Sequence, residues 1–152
     1  MNFAIIGATG NVGLKTIDIL EKSQLRIDNL FLVASKKSSG KKIFFKKKKI
    51  EIISLENYDF SKAQITFFAA GSSVAKKWAP IAAKKTIVID NSNYFRMYKD
   101  ISLVVPEVNE KVLKNYKKTN IIANPNCSTA QLVIALKPLH DKFKIKRIVV
   151  ST

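Results

Sequence analysis

Gly7-Ala8-Thr9-Gly10-Asn11-Val12-Gly13 directly follows the apolar run Phe3-Ala4-Ile5-Ile6 near the start of the 152-residue chain. The apolar run predicts a strand over 2–6, and the apolar positions after the glycines predict a helix over 12–22. Glycines between a strand and a helix allow a tight turn and let a pyrophosphate approach the amides at the helix N-terminus. In this context, the spacing favours a dinucleotide-binding turn over an ordinary one.

Strand-like and helix-like segments alternate along the rest of the chain. We predict strands at 30–34, 65–70, 86–90, 121–123 and 145–151, a β-hairpin formed by 42–45 and 50–55 with its turn in the lysine run 46–49, and helices over 73–83 and 128–141. Pro80 is expected to kink or break its helix, and Pro138 to end the following one early. The alternation predicts an α/β fold, a doubly wound parallel sheet of the Rossmann-like NAD(P)-binding type over 1–152.

Charge is the most unusual feature of the composition, at a formal +16. Only three of the 27 basic residues are arginine, and lysine, isoleucine and asparagine all have A/T-rich codons, so coding bias explains the charge better than a nucleic-acid partner. We therefore expect no specific nucleic-acid binding. The sequence contains neither an apolar run long enough to span a bilayer nor a signal-peptide pattern, which predicts a cytoplasmic protein without membrane association.

The segment after the second predicted strand bears on which cofactor is bound. NAD-binding domains usually place an acidic residue there to hold the ribose 2′-hydroxyl. Positions 35–42 read Ser-Lys-Lys-Ser-Ser-Gly-Lys-Lys and contain no acid. Cations and hydroxyls suit a 2′-phosphate, so this segment favours NADP over NAD.

Cys127 is the only cysteine, so no intrachain disulfide is possible and a reducing compartment is favoured. It lies in the polar turn Asn124-Pro125-Asn126-Cys127-Ser128 just before a predicted helix, where negative charge on a thiol is stabilised. A thiolate there can attack a carbonyl and hold an acyl group as a thioester. His140, the only histidine, lies about 20 Å along the same helix, too far to act as its base.

Taken together, the motifs resemble those of bacterial aspartate-semialdehyde dehydrogenases, in order along essentially the whole chain. The matching segments are 7–13, 35–41, 67–73, 89–92 with 95–97, 104–109, 124–129 and 136–140.

The resemblance implies a role for each of several residues. Cys127 would be the acyl-thioester nucleophile, Asn126 would orient the substrate, and Arg96 would bind the acyl phosphate or inorganic phosphate. The implied cofactor-binding residues are Gly7, Thr9, Gly10, Asn11, Val12 and Gly13 around the pyrophosphate, Lys37 and Ser38 at the 2′-phosphate, and Ala70 and Gly71 on the adenosine side. Lys37 stands where the family usually has arginine, and no residue is assigned to a metal ion.

The implied reaction is the reductive dephosphorylation of aspartyl phosphate to aspartate semialdehyde with NADPH, on the route to lysine, methionine and threonine. Family members continue into a substrate and dimerisation domain that carries the acid/base histidine and builds a homodimer. We expect this domain to be absent here and the chain alone to be inactive.

Two alternatives remain open at this point. N-acetyl-glutamyl-phosphate reductase shares the fold and thiol chemistry, but its cysteine is typically flanked by glycine and tyrosine where this chain has Asn126 and Ser128. A non-catalytic NADP-binding module is the second alternative.

Overall fold

The computed structural model describes residues 1–151. The strands are β1 (Asn2–Ile6), β2 (Asn29–Ala34), β3 (Lys42–Phe45), β4 (Lys48–Ser54), β5 (Ile65–Phe68), β6 (Ile87–Asp90), β7 (Ser102–Leu103) and β8 (Ile121–Ala123). The α-helices are α1 (Asn11–Lys22), α2 (Ser72–Ala82), α3 (Pro106–Asn109) and α4 (Cys127–Phe143). Four 3₁₀ segments connect them: Lys36–Ser38, Leu55–Asn57, Phe60–Lys62 and Glu110–Lys118.

The strands form one sheet in the order β3-β4-β2-β1-β5-β6-β8-β7, and every neighbouring pair except β3–β4 is parallel. From β1 the chain builds outward to β2 and β4 on one side, and from β5 to β6 and β8 on the other. The direction therefore reverses between β1 and β5, the point at which ligands bind in open α/β sheets. The predicted doubly wound parallel sheet is confirmed.

Each face of the sheet carries its own apolar core, which explains why the strands are continuous apolar runs. Ala4 and Ile6 of β1 face the core that α2 covers with Ala75, Ala79 and Ala82. Phe3 and Ile5 face the opposite core, which α1 covers with Ile17 and Leu20. Fully burying side chains such as Ile5 and Ile6 contributes roughly 1.5–3 kcal/mol each.

The hairpin turn is tighter than predicted. Lys46 and Lys47 form it alone, with φ angles of 46° and 65°, and β4 begins at Lys48. A two-residue turn with both φ angles positive matches the twist of the antiparallel strands that it joins. The pairing of β3 with β4 therefore holds both lysines in the left-handed conformation, which lysine seldom adopts. Lys48 and Lys49 thus pair with Phe45 and Phe44 instead of belonging to the loop.

Helix α2 runs past Pro80 to Ala82, so Pro80 does not break it, and the predicted early end at Pro138 is wrong because α4 continues to Phe143. A proline removes one helical hydrogen bond and leaves one carbonyl free. Pro80 and Pro138 are both exposed, so water can solvate the freed carbonyl. The end of α4 is set instead by Lys144, which is left-handed (φ 56°) and donates its amide to the His140 carbonyl.

The strand predicted at 145–151 is also wrong, because no strand of the described residues pairs with this segment. An extended segment becomes a β-strand only with a hydrogen-bonded neighbour. Its apolar residues Ile148, Val149 and Val150 are more than half exposed. Strand β7, helix α3 and the four 3₁₀ segments were not predicted.

Helix α4 differs from α1 and α2 because none of its residues is fully buried, although Leu132, Val133 and Leu136 are half-buried. Its main contact is with the four-residue helix α3. Ile134, Leu139 and Phe143 are exposed on its surface. In the part of the chain that the structure describes, no helix has the length and apolar character needed to cross a membrane.

Candidate cofactor and thiol site

The residues singled out in the sequence converge on one edge of the sheet. In a parallel sheet all the carboxyl ends lie at the same edge. There β1 leads into Gly7, β2 into Ser35, β5 into Ala69, β6 into Asn91 and β8 into Asn124. The glycine loop, the lysine–serine segment and the cysteine turn therefore share one surface.

The glycine loop is packed so tightly that two of its positions exclude any side chain. Gly7 has φ +87°, and a Cβ there would lie 2.7 Å from the Ala69 carbonyl oxygen. A Cβ on Gly13 would lie 2.2 Å from the carbonyl oxygen of Gly7. The amides of Gly7 and Ala8 both donate to the Val33 carbonyl, at 2.8 and 3.1 Å, which ties the loop to β2.

The N-terminus of α1 is open to an anion. Its N-cap, Gly10, provides no side-chain hydrogen bond, and the first turn contains no acidic residue. Within residues 1–151, the backbone amides of Asn11, Val12 and Gly13 have no hydrogen-bond acceptor. The next amide, that of Leu14, donates to the Gly10 carbonyl at 2.9 Å. Three free amides at the positive end of a helix fit a pyrophosphate.

The 2′-phosphate candidates lie in the 3₁₀ segment after β2. Ser38 donates its amide to the Ser35 carbonyl at 2.9 Å, and Gly40 donates to Ile52 of β4 at 3.0 Å, so the segment is anchored at both ends. The side chain of Lys37 is exposed. On the other side of the glycine loop, Gly71 is the N-cap of α2 with φ +83°, and open space surrounds its missing Cβ. Ala70, which precedes Gly71, lies against Gly7.

Cys127 is the first residue of α4, and its thiol is exposed. Asn126 is the helix N-cap, and its Oδ1 accepts from the Ser128 amide at 2.8 Å while lying 3.7 Å from the Cys127 Sγ. The amide oxygen of Asn126 is thus occupied by the cap, and its Nδ2 group is the part free to contact a substrate. His140 is exposed near the other end of α4, where the sequence predicted it.

Arg96 holds the polypeptide next to the thiol. Its Nε donates to the Asn124 carbonyl at 2.9 Å, and its Nη2 donates to the Asn91 carbonyl at 3.2 Å. The half-buried guanidinium therefore joins the ends of β6 and β8 just before the cysteine turn. Because a guanidinium has five N–H donors, the remaining ones can bind an anion.

Asp90, at the end of β6, is a residue whose individual role sequence reasoning missed. Its fully buried carboxylate accepts from the Ser92 amide at 3.1 Å and from the Ser92 hydroxyl at 2.6 Å. Burial raises the pKa of Asp90, while the Ser92 hydrogen bonds and the charge of Arg96 act in the opposite direction. The Asp-Asn-Ser sequence after an apolar run is the available signal, because such residues fix turns at strand ends.

A cleft of about 280 Å³ lies between α1 and the ends of β5, β6 and β8. It begins at the first turns of α1 and ends at the loops after β6 and β8, three residues before Cys127. Its lining residues are Val12, Thr16, Phe67, Phe68, Ala69, Ile89, Asn91 and Asn124. Asn91 and Asn124 were part of the sequence motifs, but neither was predicted to be a site residue.

A glycine loop at the topological switch point, followed by an open helix N-terminus, defines a dinucleotide-binding domain. Residues 2–116 match the family described as semialdehyde dehydrogenase, NAD-binding domain. The chain belongs to this family.

Similarity to known proteins extends over nearly the whole chain. It is 50% identical to the aspartate-semialdehyde dehydrogenase of Aquifex aeolicus over 98% of its own length and 44% of the relative's. The structure of aspartate-semialdehyde dehydrogenase II from Vibrio cholerae complexed with ASA has a TM-score of 0.91 at 46% identity, covering 93% of this chain and 46% of that one. The corresponding enzyme from Candida albicans, solved with NADP, has a TM-score of 0.75 at 28% identity and covers 93% and 47%. The chain thus spans about half the length of its relatives.

The position of Cys127 leads to a prediction about its reactivity. Because its thiol is exposed and lies at a helix N-terminus, we expect Cys127 to react with iodoacetamide several-fold faster than a thiol elsewhere on the same helix. The measurement is the alkylation rate at pH 7. The matched control is Ala130→Cys in a Cys127→Ala background, one turn further along α4. Equal alkylation rates for the two thiols would contradict the prediction.

Proposed function

We propose that this chain is the NADP-binding, thiol-bearing part of an aspartate-semialdehyde dehydrogenase. The observation that carries the proposal is the cleft that begins beside the open N-terminus of α1 and ends at Asn124, three residues before Cys127. The relatives that match nearly all of the chain bear this enzyme's name, which supports aspartyl phosphate as the substrate over its N-acetyl-glutamyl counterpart.

The chain's own residues fit the first half of the reaction. The Sγ of Cys127 attacks the acyl carbon of aspartyl phosphate, the bond from that carbon to the phosphate oxygen breaks, and a thioester and inorganic phosphate result. Arg96 binds the departing phosphate with the donors that its two backbone contacts leave free. Asn126 orients the acyl group through its Nδ2 group.

NADPH, when bound, supplies the hydride that converts the thioester to the aldehyde and releases the Cys127 thiolate. The open amides of Asn11, Val12 and Gly13 hold the pyrophosphate, with Gly7, Thr9 and Gly10 forming the turn around it. Lys37 and Ser38 hold the 2′-phosphate, and Ala70 and Gly71 lie beside the adenosine. The open N-terminus of α1, the cation and hydroxyl of the segment after β2, and the open space around Gly71 support these assignments.

A second, substrate-binding and dimerisation domain completes the enzyme in this proposal. It provides the proton-transfer group and builds the homodimer. The chain's coverage of only 45% of its relatives supports such a domain. Cytoplasmic amino-acid biosynthesis suits a protein whose single thiol must stay reduced.

Cofactor preference tests the proposal. We expect NADP⁺ to bind at least about tenfold more tightly than NAD⁺, because Lys37 and Ser38 can contact a 2′-phosphate and positions 35–42 have no carboxylate. Lys37→Glu should weaken NADP⁺ binding by roughly 10- to 100-fold and leave NAD⁺ binding nearly unchanged. Isothermal titration of both cofactors provides the measurement.

The matched control is Lys62→Glu, an exposed lysine at the end of the 3₁₀ segment Phe60–Lys62, which precedes β5 and so lies at the opposite edge of the sheet. It makes the same charge change without approaching the cofactor. Equal affinity of the original chain for NAD⁺ and NADP⁺ would refute the assignment of Lys37. Absence of binding to either cofactor would refute the proposed function.

A further inference from the structure

Two asparagine side chains close the end of the cleft nearest the thiol. Asn124 donates its Nδ2 group to the Oδ1 of Asn91 over 2.6 Å, although the residues are 33 positions apart. Their backbones are fixed as well: the Asn91 amide donates to Phe68 at 2.9 Å, and the Asn124 amide donates to Asp90 at 2.8 Å. Arg96 also donates to the backbone carbonyls of both residues. The backbone on either side of the pair is therefore fixed relative to β5, β6 and β8.

The hydrogen bond between the two amides uses half of their polar groups. The Nδ2 of Asn91 and the Oδ1 of Asn124 have no hydrogen-bond partner within residues 1–151, and neither atom is sealed from solvent. One donor and one acceptor therefore remain free on two adjoining half-buried residues that line the cleft. Polar groups in such a position are matched by a ligand with the complementary pair.

We infer that the Asn91–Asn124 pair binds the carboxamide of the nicotinamide ring, an inference that rests on the proposed function. A primary carboxamide presents a carbonyl acceptor and an N–H donor on one carbon, the complement of the groups that the pair leaves free. The rest of the cleft is suited to a flat ring, since Val12, Phe67 and Ile89 provide apolar walls.

The position of the Asn91–Asn124 pair in the cleft indicates how a bound carboxamide would orient the nicotinamide ring. The cleft begins beside the open amides of α1 and ends three residues before Cys127. A carboxamide held at its end fixes the rotation of the ring about its glycosidic bond. Asn91 and Asn124 are thus positioning residues that select which face of the ring is turned toward the acyl group on the cysteine.

The test compares two ligands that share the adenosine end and differ in the ring. Asn91→Asp keeps the oxygen that accepts from Asn124 but replaces the free donor with an acceptor. We expect it to weaken NADPH binding about tenfold and to leave the binding of adenosine 2′,5′-bisphosphate, which has no nicotinamide, within twofold of the original. Both affinities are measured by titration calorimetry on the full chain.

The control variant is Asn2→Asp, because Asn2 accepts from Asn29 in a similar pair at 3.0 Å at the start of β1, on the opposite edge of the sheet. It should alter neither affinity. A second measurement needs no variant: the 3-acetylpyridine analogue of NADPH lacks the carboxamide N–H donor and should bind the original chain several-fold more weakly than NADPH.

The outcomes separate the inference from the proposed function. A loss confined to NADPH, with weaker binding of the acetylpyridine analogue, supports the inference. Equal losses for NADPH and the bisphosphate, no loss with Asn91→Asp, or equal binding of NADPH and its analogue would overturn it while leaving the proposed function standing. If the original chain binds neither ligand, both fail. If Asn91→Asp does not fold, the comparison with the analogue alone decides.

Discussion

The 152-residue chain is expected to reduce NADP⁺ with aspartate semialdehyde and phosphate at least about 10⁴-fold more slowly than the same chain extended by the second domain of a relative. The reaction needs a thiolate, a hydride acceptor and a proton-transfer group at one point. The chain provides Cys127 and the cofactor surface. Its only histidine, His140, is exposed about 20 Å further along α4, which is outside hydrogen-bond reach.

The size of the effect follows from the missing groups. Loss of a general acid or base costs about 10² to 10⁴ in rate, and loss of substrate positioning adds further orders of magnitude. Arg96 cannot take the base's place, because a guanidinium stays protonated near neutral pH. The assay follows NADPH absorbance in the presence and absence of phosphate.

Cys127→Ala in the extended protein is the control for the origin of the activity, and it should abolish turnover. Ser73→Ala, an exposed position in the first turn of α2, tests for effects of substitution at the same sheet edge. Comparable rates from the short and extended proteins would show that the chain contains a proton-transfer group of its own.

Gly13→Ala is expected to destabilise the fold strongly, by roughly 3 kcal/mol or more. In an ordinary helix this change stabilises by up to about 1 kcal/mol, so the expected sign is reversed. The reason is the contact of 2.2 Å that a Cβ would make with the Gly7 carbonyl oxygen and of 2.9 Å with the Ala8 Cα. Both are backbone atoms of a loop tied to β2, so α1 must move away from the sheet that Ile17 and Leu20 cover.

For a domain of this size, a loss of 3 kcal/mol lowers the melting temperature by roughly 6–12 °C, which differential scanning calorimetry resolves. Gly10→Ala is the matched control in the same loop. Its φ of −80° is ordinary, and its nearest Cβ contact would be 3.4 Å, so its melting temperature should stay close to the original. A similar melting temperature for both variants would mean that the loop yields easily and that glycine at position 13 serves only cofactor binding.

The parts of the fold that local chemistry determines could be predicted from the sequence. Phe3 to Ile6 is apolar because β1 is covered on both faces, and Gly7 and Gly13 are required by close backbone contacts. Cys127 could be placed at a helix N-terminus because Asn126 is a typical N-cap.

Features that depend on tertiary neighbours could not be predicted. The segment 145–151 has strand composition but no partner, and Pro138 is tolerated because its surroundings are open to water. The Asn91–Asn124 pair exists only because β6 and β8 are parallel neighbours in the register Asp90↔Ala123. No spacing within one segment indicates such a pair.

The exposure of α4 has a consequence for the protein's cooperative units. The amides of Gly7 and Ala8 donate to the Val33 carbonyl of β2, so we expect them to exchange with solvent only when the sheet itself unfolds. Helix α4 has no fully buried residue and contributes to neither core, so it can fray without disturbing them. We therefore expect amide hydrogen exchange to be slow in the part of the glycine loop that is bonded to β2 and fast in α4. A nucleotide bound at the loop would slow exchange in the sheet, whereas the helix that begins at Cys127 would keep its own, lower local stability.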